Sequence, residues 1–268
     1  MSSGARIHQP IAQPRGTLAP ATTCAALLLL AALSAACQTP RAPQPSHAHA
    51  LQTYAALPIA FEANTGQSDH RVKFLAHTRS YTLFLTGDEA VLSLPSHAIH
   101  LKFFGATQSS LTGRDPLPGK TNYFIGNDSK QWHTNVPNYS EVEYRGIYSG
   151  VDAVFHGDNR RLEFDFNIAP NANPQAIALE VQGAQHLRLN HSGDIVLSLN
   201  HAPDVILDKP HIYQPAPTGP REISGHYILT ASNRIAFALG PYDHTLPLVI
   251  DPTITYATYL GGSGSDYA

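Results

Sequence analysis

Residues 161–168 have the sequence Arg161-Leu162-Glu163-Phe164-Asp165-Phe166-Asn167-Ile168. Apolar and polar residues alternate here without a break, which is the period-two pattern of a β-strand with one buried face. The four apolar side chains are expected to face a core and the polar ones the opposite side. The stretch therefore predicts a strand of an antiparallel sheet.

The same alternation recurs along the chain between residues 72 and 250, interrupted by Gly, Asp, Asn and Pro. It predicts four strands within residues 72–103, too close together for parallel crossovers, with Gly87-Asp88 as a tight hairpin turn. Residues 109–119, rich in Gly, Pro and Ser, are predicted as a loop that divides a first sheet from the rest. The prediction is an all-β domain over residues 58–252, made of antiparallel, sandwich-like sheets of many short strands.

Composition narrows the function classes. The 268 residues include 43% hydrophobic residues, enough to bury a core, and only 14% charged residues. Seventeen Lys and Arg are balanced by twenty Asp and Glu, and neither sign forms a run. A nucleic-acid partner is therefore not predicted, because binding to phosphates requires a basic patch.

Residues 1–37 are predicted to be a signal peptide. Arg6 and Arg15 precede an apolar run at residues 25–33. This run is too short for a hydrocarbon core of about 30 Å, so a cleaved signal is favoured over a membrane helix. The sequence predicts an exported protein.

The signal ends in Leu33-Ser34-Ala35-Ala36-Cys37, which is similar to a lipobox although its Leu lies one place further from the Cys. We predict that Cys37 is lipidated and anchors the protein to a membrane of the cell envelope. Ordinary cleavage within residues 31–36 is the alternative and would give a secreted protein. Because the only other cysteine is Cys24, neither product can form an internal disulfide.

Residues 38–57 are predicted to be a linker, because Pro, Ala, His and Gln dominate them and Pro40, Pro43 and Pro45 lie close together. Proline keeps such a segment extended, at roughly 3 Å per residue. The linker would hold the folded domain away from a lipid surface.

Several segments together resemble a known domain. In chain order they are Phe61-Glu62-Ala63-Asn64-Thr65-Gly66-Gln67, Asn122-Tyr123-Phe124-Ile125-Gly126 with Trp132, Tyr148-Ser149-Gly150-Val151-Asp152, Leu162-Glu163-Phe164-Asp165-Phe166, Pro210-His211-Ile212-Tyr213-Gln214, Leu248-Val249-Ile250-Asp251-Pro252 and Thr258-Tyr259-Leu260-Gly261-Gly262. The series resembles the uncharacterised N-terminal domain that precedes SBBP-type β-propeller repeats in bacterial secreted and cell-surface proteins. The resemblance implies a surface or secreted scaffold and supplies no catalytic residues.

The resemblance also assigns residues 253–268 to the first strand and turn of a truncated β-propeller repeat. A repeat array needs at least about three units to bury its faces. We therefore expect the chain to be the leading part of a longer protein that continues with further repeats.

Candidate sites are few, and we predict no catalytic residue, no metal site and no cofactor. The segment Gly261-Gly262-Ser263-Gly264-Ser265-Asp266 fits one copy of a calcium-binding repeat, which supplies half a site at most, and His47 and His49 are a weak metal-binding pair in the linker. Glu163, Asp165 and Asp152 are candidates for the carboxylate pair of a carbohydrate-active hydrolase. A solvated strand face paired with Arg145, Arg160 or Arg161 is the favoured interpretation of these acids.

The predicted function is a non-catalytic module of the cell envelope, or a secreted one, that supports adjoining propeller repeats and binds a polysaccharide or protein ligand. The alternative is the hydrolase. A hydrolase requires two carboxyl groups about 5 to 10 Å apart across a cleft, whereas Trp132 and exposed tyrosines in a groove would favour a binding module.

Overall fold

A computed structural model describes residues 59–107, 109–158, 161–230 and 233–256. The predicted signal peptide with Cys37, the linker and its two histidines, and the glycine-rich segment from Gly261 all lie outside the described residues. Among the residues described, no helix is long and apolar enough to cross a membrane.

The described part of the chain is almost entirely β-structure, with 58% of residues in strands, which confirms the predicted fold class. The nineteen strands are β1 Phe61–Ala63, β2 Phe74–His77, β3 Thr82–Leu85, β4 Glu89–Ser93, β5 Ala98–Phe103, β6 Ser110–Tyr123, β7 His133–Tyr148, β8 Val151–Asp158, β9 Arg161–Ile168, β10 Leu179–Gln182, β11 His186–Leu189, β12 Ile195–Leu199, β13 Ala202–Leu207, β14 His211–Gln214, β15 Arg221–Glu222, β16 Gly225–Thr230, β17 Arg234–Leu239, β18 Leu248–Asp251 and β19 Thr253–Tyr256. Two 3₁₀ turns, Ser129–Gln131 and Pro174–Ala176, are the only helical elements described.

Every strand pairing is antiparallel, and the strands form one nearly closed sheet with two wings. One wing runs from β7 through β1, β2, β3, β4, β5, β10 and β17 to β16. The other runs from β7 through β8 to β9, where it divides. One branch continues through β18 to β14 and β15, and the other through β19 and β13 to β12 and β11.

The core lies between the two wings. All four apolar residues of β9 are at most 3% exposed, as the alternation predicts. Phe166 contacts aromatic rings from the opposite wing: its ring centroid is 6.3 Å from that of Phe103 and 5.8 Å from that of Phe237. Each fully buried Phe contributes about 1.5–3 kcal/mol relative to an exposed one, so these contacts hold the wings together.

The prediction of a loop at residues 109–119 is wrong, because these residues form most of β6. Among the described strands β6 pairs only with β7, and none of its residues is buried. A strand with no buried face shows no alternation of apolar residues. Pro116 and Pro118 are compatible with an edge strand, where an N–H that faces away from the neighbouring strand needs no strand partner. The pairing with β7 is also irregular between Pro116 and Lys120.

The segment after Pro252 continues the domain's own sheet. β19 pairs with β9 through Thr253 opposite Glu163, and with β13 through Thr255 opposite Ile206. Residues 257–268, which would hold the rest of the predicted propeller repeat, lie outside the described residues.

Candidate functional site

The outer face of β9 carries a group of acids with one histidine, which we call the acidic cluster: His156, Glu163, Asp165 and Asp251. Strand register brings them together, because His156 of β8 lies opposite Glu163. Ile250 of β18 lies opposite Phe166, which places the next residue, Asp251, beside Asp165. Phe164, between the two acids of β9, points the other way into the core.

His156 lies between the two acids of β9. Its Nε2 is 3.3 Å from Asp165 Oδ2, and its Nδ1 is 3.7 Å from Glu163 Oε2. The contact between Nε2 and Asp165 is short enough for an ion pair but is not aligned as a hydrogen bond. Nε2 accordingly has no hydrogen-bond partner among the described residues. The contact with Asp165 raises the pKa of His156, and burial partly opposes this.

Asp251 is half-buried and faces like charges. Burial, followed by the charges of Asp165 and Glu163, raises the pKa of Asp251 from 3.8 to about 6. One carboxyl oxygen of Asp251 and one of Asp165 are buried and have no hydrogen-bond partner in the described part of the protein. The predicted solvated, Arg-paired face is therefore found only in part, because Asp165 is only 21% exposed.

The predicted arginine partners are only partly present. Arg161 Nη2 is 3.8 Å from Glu163 Oε1, but Arg145 pairs with Glu143 at 3.1 Å. Arg160 lies outside the described residues. The main partner of Glu163 and Asp165 is His156, which the sequence analysis did not predict as a partner.

Asp152 does not join the acidic cluster. It lies opposite Asn167, and its Oδ1 accepts a hydrogen bond of 2.6 Å from the backbone N–H of Gly146. Asp152 therefore fixes the irregular end of β7, where Gly146 has a positive φ of 63°.

Within the described ranges, no three His, Cys, Asp or Glu side chains are arranged to hold a metal ion. The acidic cluster lacks the convergence that a cation site requires. The other candidates, His47, His49 and the segment around Asp266, lie outside the described residues.

A second feature is the end of the β6–β7 hairpin, which we call the hairpin tip: Phe124, Ile125 and Trp132. These side chains are 62%, 68% and 39% exposed. Phe124 and Trp132 pack edge to face, with ring centroids 5.1 Å apart. Trp132 thus packs on Phe124 at the end of the hairpin, and it does not line the groove that lies beside β17.

The base of the hairpin tip is held by hydrogen bonds. The hydroxyl of Tyr123 donates to Glu62 Oε2 at 2.5 Å and lies 3.2 Å from His77 Nε2. Burial and the bond to Glu62 raise the pKa of Tyr123. Trp132 Nε1 donates to the carbonyl of Gly126 at 3.2 Å. The tip therefore presents its apolar side chains from a fixed base.

The sequence analysis did not predict that Tyr123 supports the hairpin tip or that Asp251 lies beside Asp165. Tyr123 and Asp251 appeared only within segments of the family resemblance. Alternation shows which face a side chain occupies, but not which distant strand is its neighbour. The neighbouring strands themselves come from chain segments that are far apart.

Comparison with known proteins supplies a family. A model described as "Domain of unknown function (DUF7948)" matches residues 61–253. This range extends from β1 to the start of β19 and includes the acidic cluster and the hairpin tip. No curated protein and no solved structure matches the chain.

Proposed function

We propose that this chain, which belongs to the DUF7948 family of domains of unknown function, is an exported, non-catalytic module of the cell envelope. In this proposal Cys37 carries the lipid anchor, and the domain supports adjoining β-propeller repeats. The hairpin tip docks a protein partner. The resemblance to domains that precede SBBP-type repeats supports the scaffold role.

The observation that carries the docking role is the exposure of Phe124, Ile125 and Trp132 together on one hairpin end. Tryptophan is enriched at the centres of protein interfaces. Ile125, the most exposed of the three, offers an aliphatic surface that fits an apolar protein pocket better than a hydrated sugar. We therefore favour a protein partner over a polysaccharide at the tip.

Trp132 is the only tryptophan in the chain, so its fluorescence reports on the tip alone. The protein is produced with 7-azatryptophan at position 132, which can be excited apart from ordinary tryptophan, and is mixed with envelope fragments prepared from the bacterium that carries the gene, in untreated and protease-treated portions. We expect a blue shift of Trp132 emission with untreated fragments and its loss after protease treatment. A shift that survives protease treatment, or that lipid vesicles alone produce, would overturn the choice of a protein partner.

Matched variants test whether the tip is the contact. The double variant Phe124→Ser/Ile125→Ser retains the tryptophan and is expected to lose the shift. Leu189→Ser is the control, because Leu189 is also an exposed apolar residue, at 46%, but lies on β11. Equal shifts in all three proteins would show that the tip is not the docking surface.

A carbohydrate-active hydrolase is the second candidate, and the raised pKa of Asp251 beside Asp165 favours it, because a general acid must keep its proton near neutral pH. The groove of about 690 Å³ between residues 172–175 and β17 is lined by other residues. Release of reducing ends from cell-wall polysaccharides tests this candidate. A hydrolase would show activity that Asp165→Asn and Asp251→Asn abolish, whereas our proposal expects none in the wild type.

A further inference from the structure

A groove of about 690 Å³ lies beside β17, far larger than a single water site and within the range of about 300–1,000 Å³ that small-molecule sites occupy. Its apolar surface comes from Ile228, Phe237 and Leu239. Its polar edge includes the amide side chains of Asn173 and Gln175 from the second 3₁₀ turn and its cap.

Two rings form one side of the groove. Tyr242 and His244 both line it, and their ring centroids are 4.1 Å apart with 37° between the planes. Asp243, between them, bends the chain: its Oδ1 accepts from the N–H and the hydroxyl of Thr245, at 2.9 and 2.7 Å. The two rings lie against each other, so each covers one face of the other and leaves its outer face for a ligand; we call them the ring pair.

A buried side chain holds this loop in position. Gln214 of β14 is 1% exposed. Its Nε2 donates to the carbonyls of Asp243 and Pro247, at 2.8 and 3.2 Å, and its Oε1 accepts from the N–H of Asp243 at 3.0 Å. The carbonyl of His244 also accepts from the N–H of Asn171 at 2.7 Å. The ring pair is thus preorganised, which lowers the entropic cost of binding.

The described residues that line the groove include no Asp, Glu, Lys or Arg. Among the described lining residues His244 is the only one that can become charged near neutral pH, so an anion would meet at most one positive partner and a cation no negative one. Asn173 Oδ1 already accepts the N–H of Gln175 at 3.0 Å, but the NH₂ group of Asn173 and the amide of Gln175, both on exposed residues, can bond to a polar ligand. An uncharged molecule with many hydroxyl groups and apolar C–H faces matches both surfaces. Sugar rings have these properties, since their C–H faces stack on aromatic rings and their hydroxyls bond to amides.

We infer that this groove is a binding site for a neutral glycan, with a sugar ring stacked on the outer face of Tyr242 or His244 and hydroxyls bonded to Asn173 and Gln175. The site is separate from the hairpin tip, and the inference does not depend on a protein partner at the tip. It adds a ligand class to the proposed surface module.

The test uses isothermal titration calorimetry, which measures the heat of binding. The purified protein is titrated with cellohexaose, maltohexaose and mannohexaose, and with hexagalacturonic acid as the charged counterpart. We expect at least one neutral hexamer to bind with a Kd in the millimolar range or tighter, and the charged one to bind at least tenfold more weakly. Absence of binding by all three neutral hexamers, or preference for the charged one, would overturn the inference.

Variants locate the site. Tyr242→Ala is expected to weaken binding at least tenfold. Ile228→Arg changes a groove residue that is exposed and should fold normally, and it is also expected to weaken binding at least tenfold. Tyr213→Ala is the matched control, because Tyr213 stacks on His211 in a similar Tyr–His pair, at 4.9 Å and 32°, outside the groove.

Unchanged affinity in both groove variants would refute this location, even if a neutral hexamer binds. Phe124→Ser/Ile125→Ser is expected to bind the glycan as the wild type does. Failure of the tip experiment and failure of the groove experiment are therefore distinguishable.

Discussion

The carboxyl group of Asp251 is half-buried beside Asp165 and Glu163, and its pKa is raised from 3.8 to about 6. Because the folded state holds this proton more tightly than the unfolded state, the contribution of Asp251 to stability is lost as the pH rises from about 4 to about 6. Asp251→Asn keeps the shape and removes the charge. We expect the variant to be more stable than the wild type by about 1 kcal/mol at pH 8, a figure reduced for partial exposure.

Urea unfolding of both proteins at pH 4 and pH 8 checks this. The raised pKa of His156 changes stability with pH in the same direction as that of Asp251. The stabilising charge of His156 is present below about pH 6.5 and is lost as the pH rises through its higher folded-state pKa. The advantage of Asp251→Asn should be smaller at pH 4, where both proteins carry an uncharged side chain at this position. A variant less stable than the wild type at pH 8 would show that the Asp251 charge is favourably paired.

Gln214 is a polar residue at a fully buried position. Its amide forms hydrogen bonds with three backbone groups of the loop that carries Tyr242. Gln214→Leu keeps the volume but leaves these groups without their partner. We expect a loss of about 1–3 kcal/mol in the free energy of unfolding. Gln182→Leu, at an exposed position of β10, should change it by less than about 0.5 kcal/mol. Similar urea midpoints for the two variants would contradict this role.

β6 has no buried side chain, yet one of its glycines is sterically required. A Cβ on Gly113 would lie 2.5–2.7 Å from ring atoms of Tyr139, so Gly113→Ala must displace that ring from the strand. We expect a cost of about 1–3 kcal/mol. Gly119→Ala on the same strand is the control, because its Cβ would meet nothing within 4 Å. Thermal unfolding of both variants measures the difference, and equal Tm values would show that Tyr139 moves freely.

Several of the strands that were predicted correctly bury one face, as β3, β4, β5 and β9 do. β9 has the bounds that the alternating stretch predicts, and Gly87-Asp88 connects β3 to β4 as expected. β6 was missed because it obtains its hydrogen bonds from β7 while burying nothing. Periodicity detects burial and not hydrogen bonding, so an exposed edge strand with prolines has the composition of a loop.

The sites were less predictable than the strands, because they depend on how the two wings and their branches assemble. Glu163 and Asp165 were placed on one face correctly from β9 alone. Their partners Asp251 and His156 come from β18 and β8, and the groove combines the 172–175 loop with β17 and the loop after it. Register between such strands is decided by the packing of the whole core, of which a local pattern contains only one part.

The proposed export and lipid anchoring concern the entire protein, and Cys37 is the residue on which both proposals can be tested. Cys24 lies next to the apolar run and Cys37 after it, and the chain has no other cysteine. We expect a radiolabelled or alkyne-tagged fatty acid to label the wild type and Cys24→Ser equally, and not to label Cys37→Ser. The labelled protein should sediment with membranes, since each buried CH₂ of an acyl chain contributes about 0.8 kcal/mol to membrane binding. Labelling that persists in Cys37→Ser would exclude Cys37 as the anchor, and an unlabelled wild-type protein in the culture medium would favour the secreted alternative.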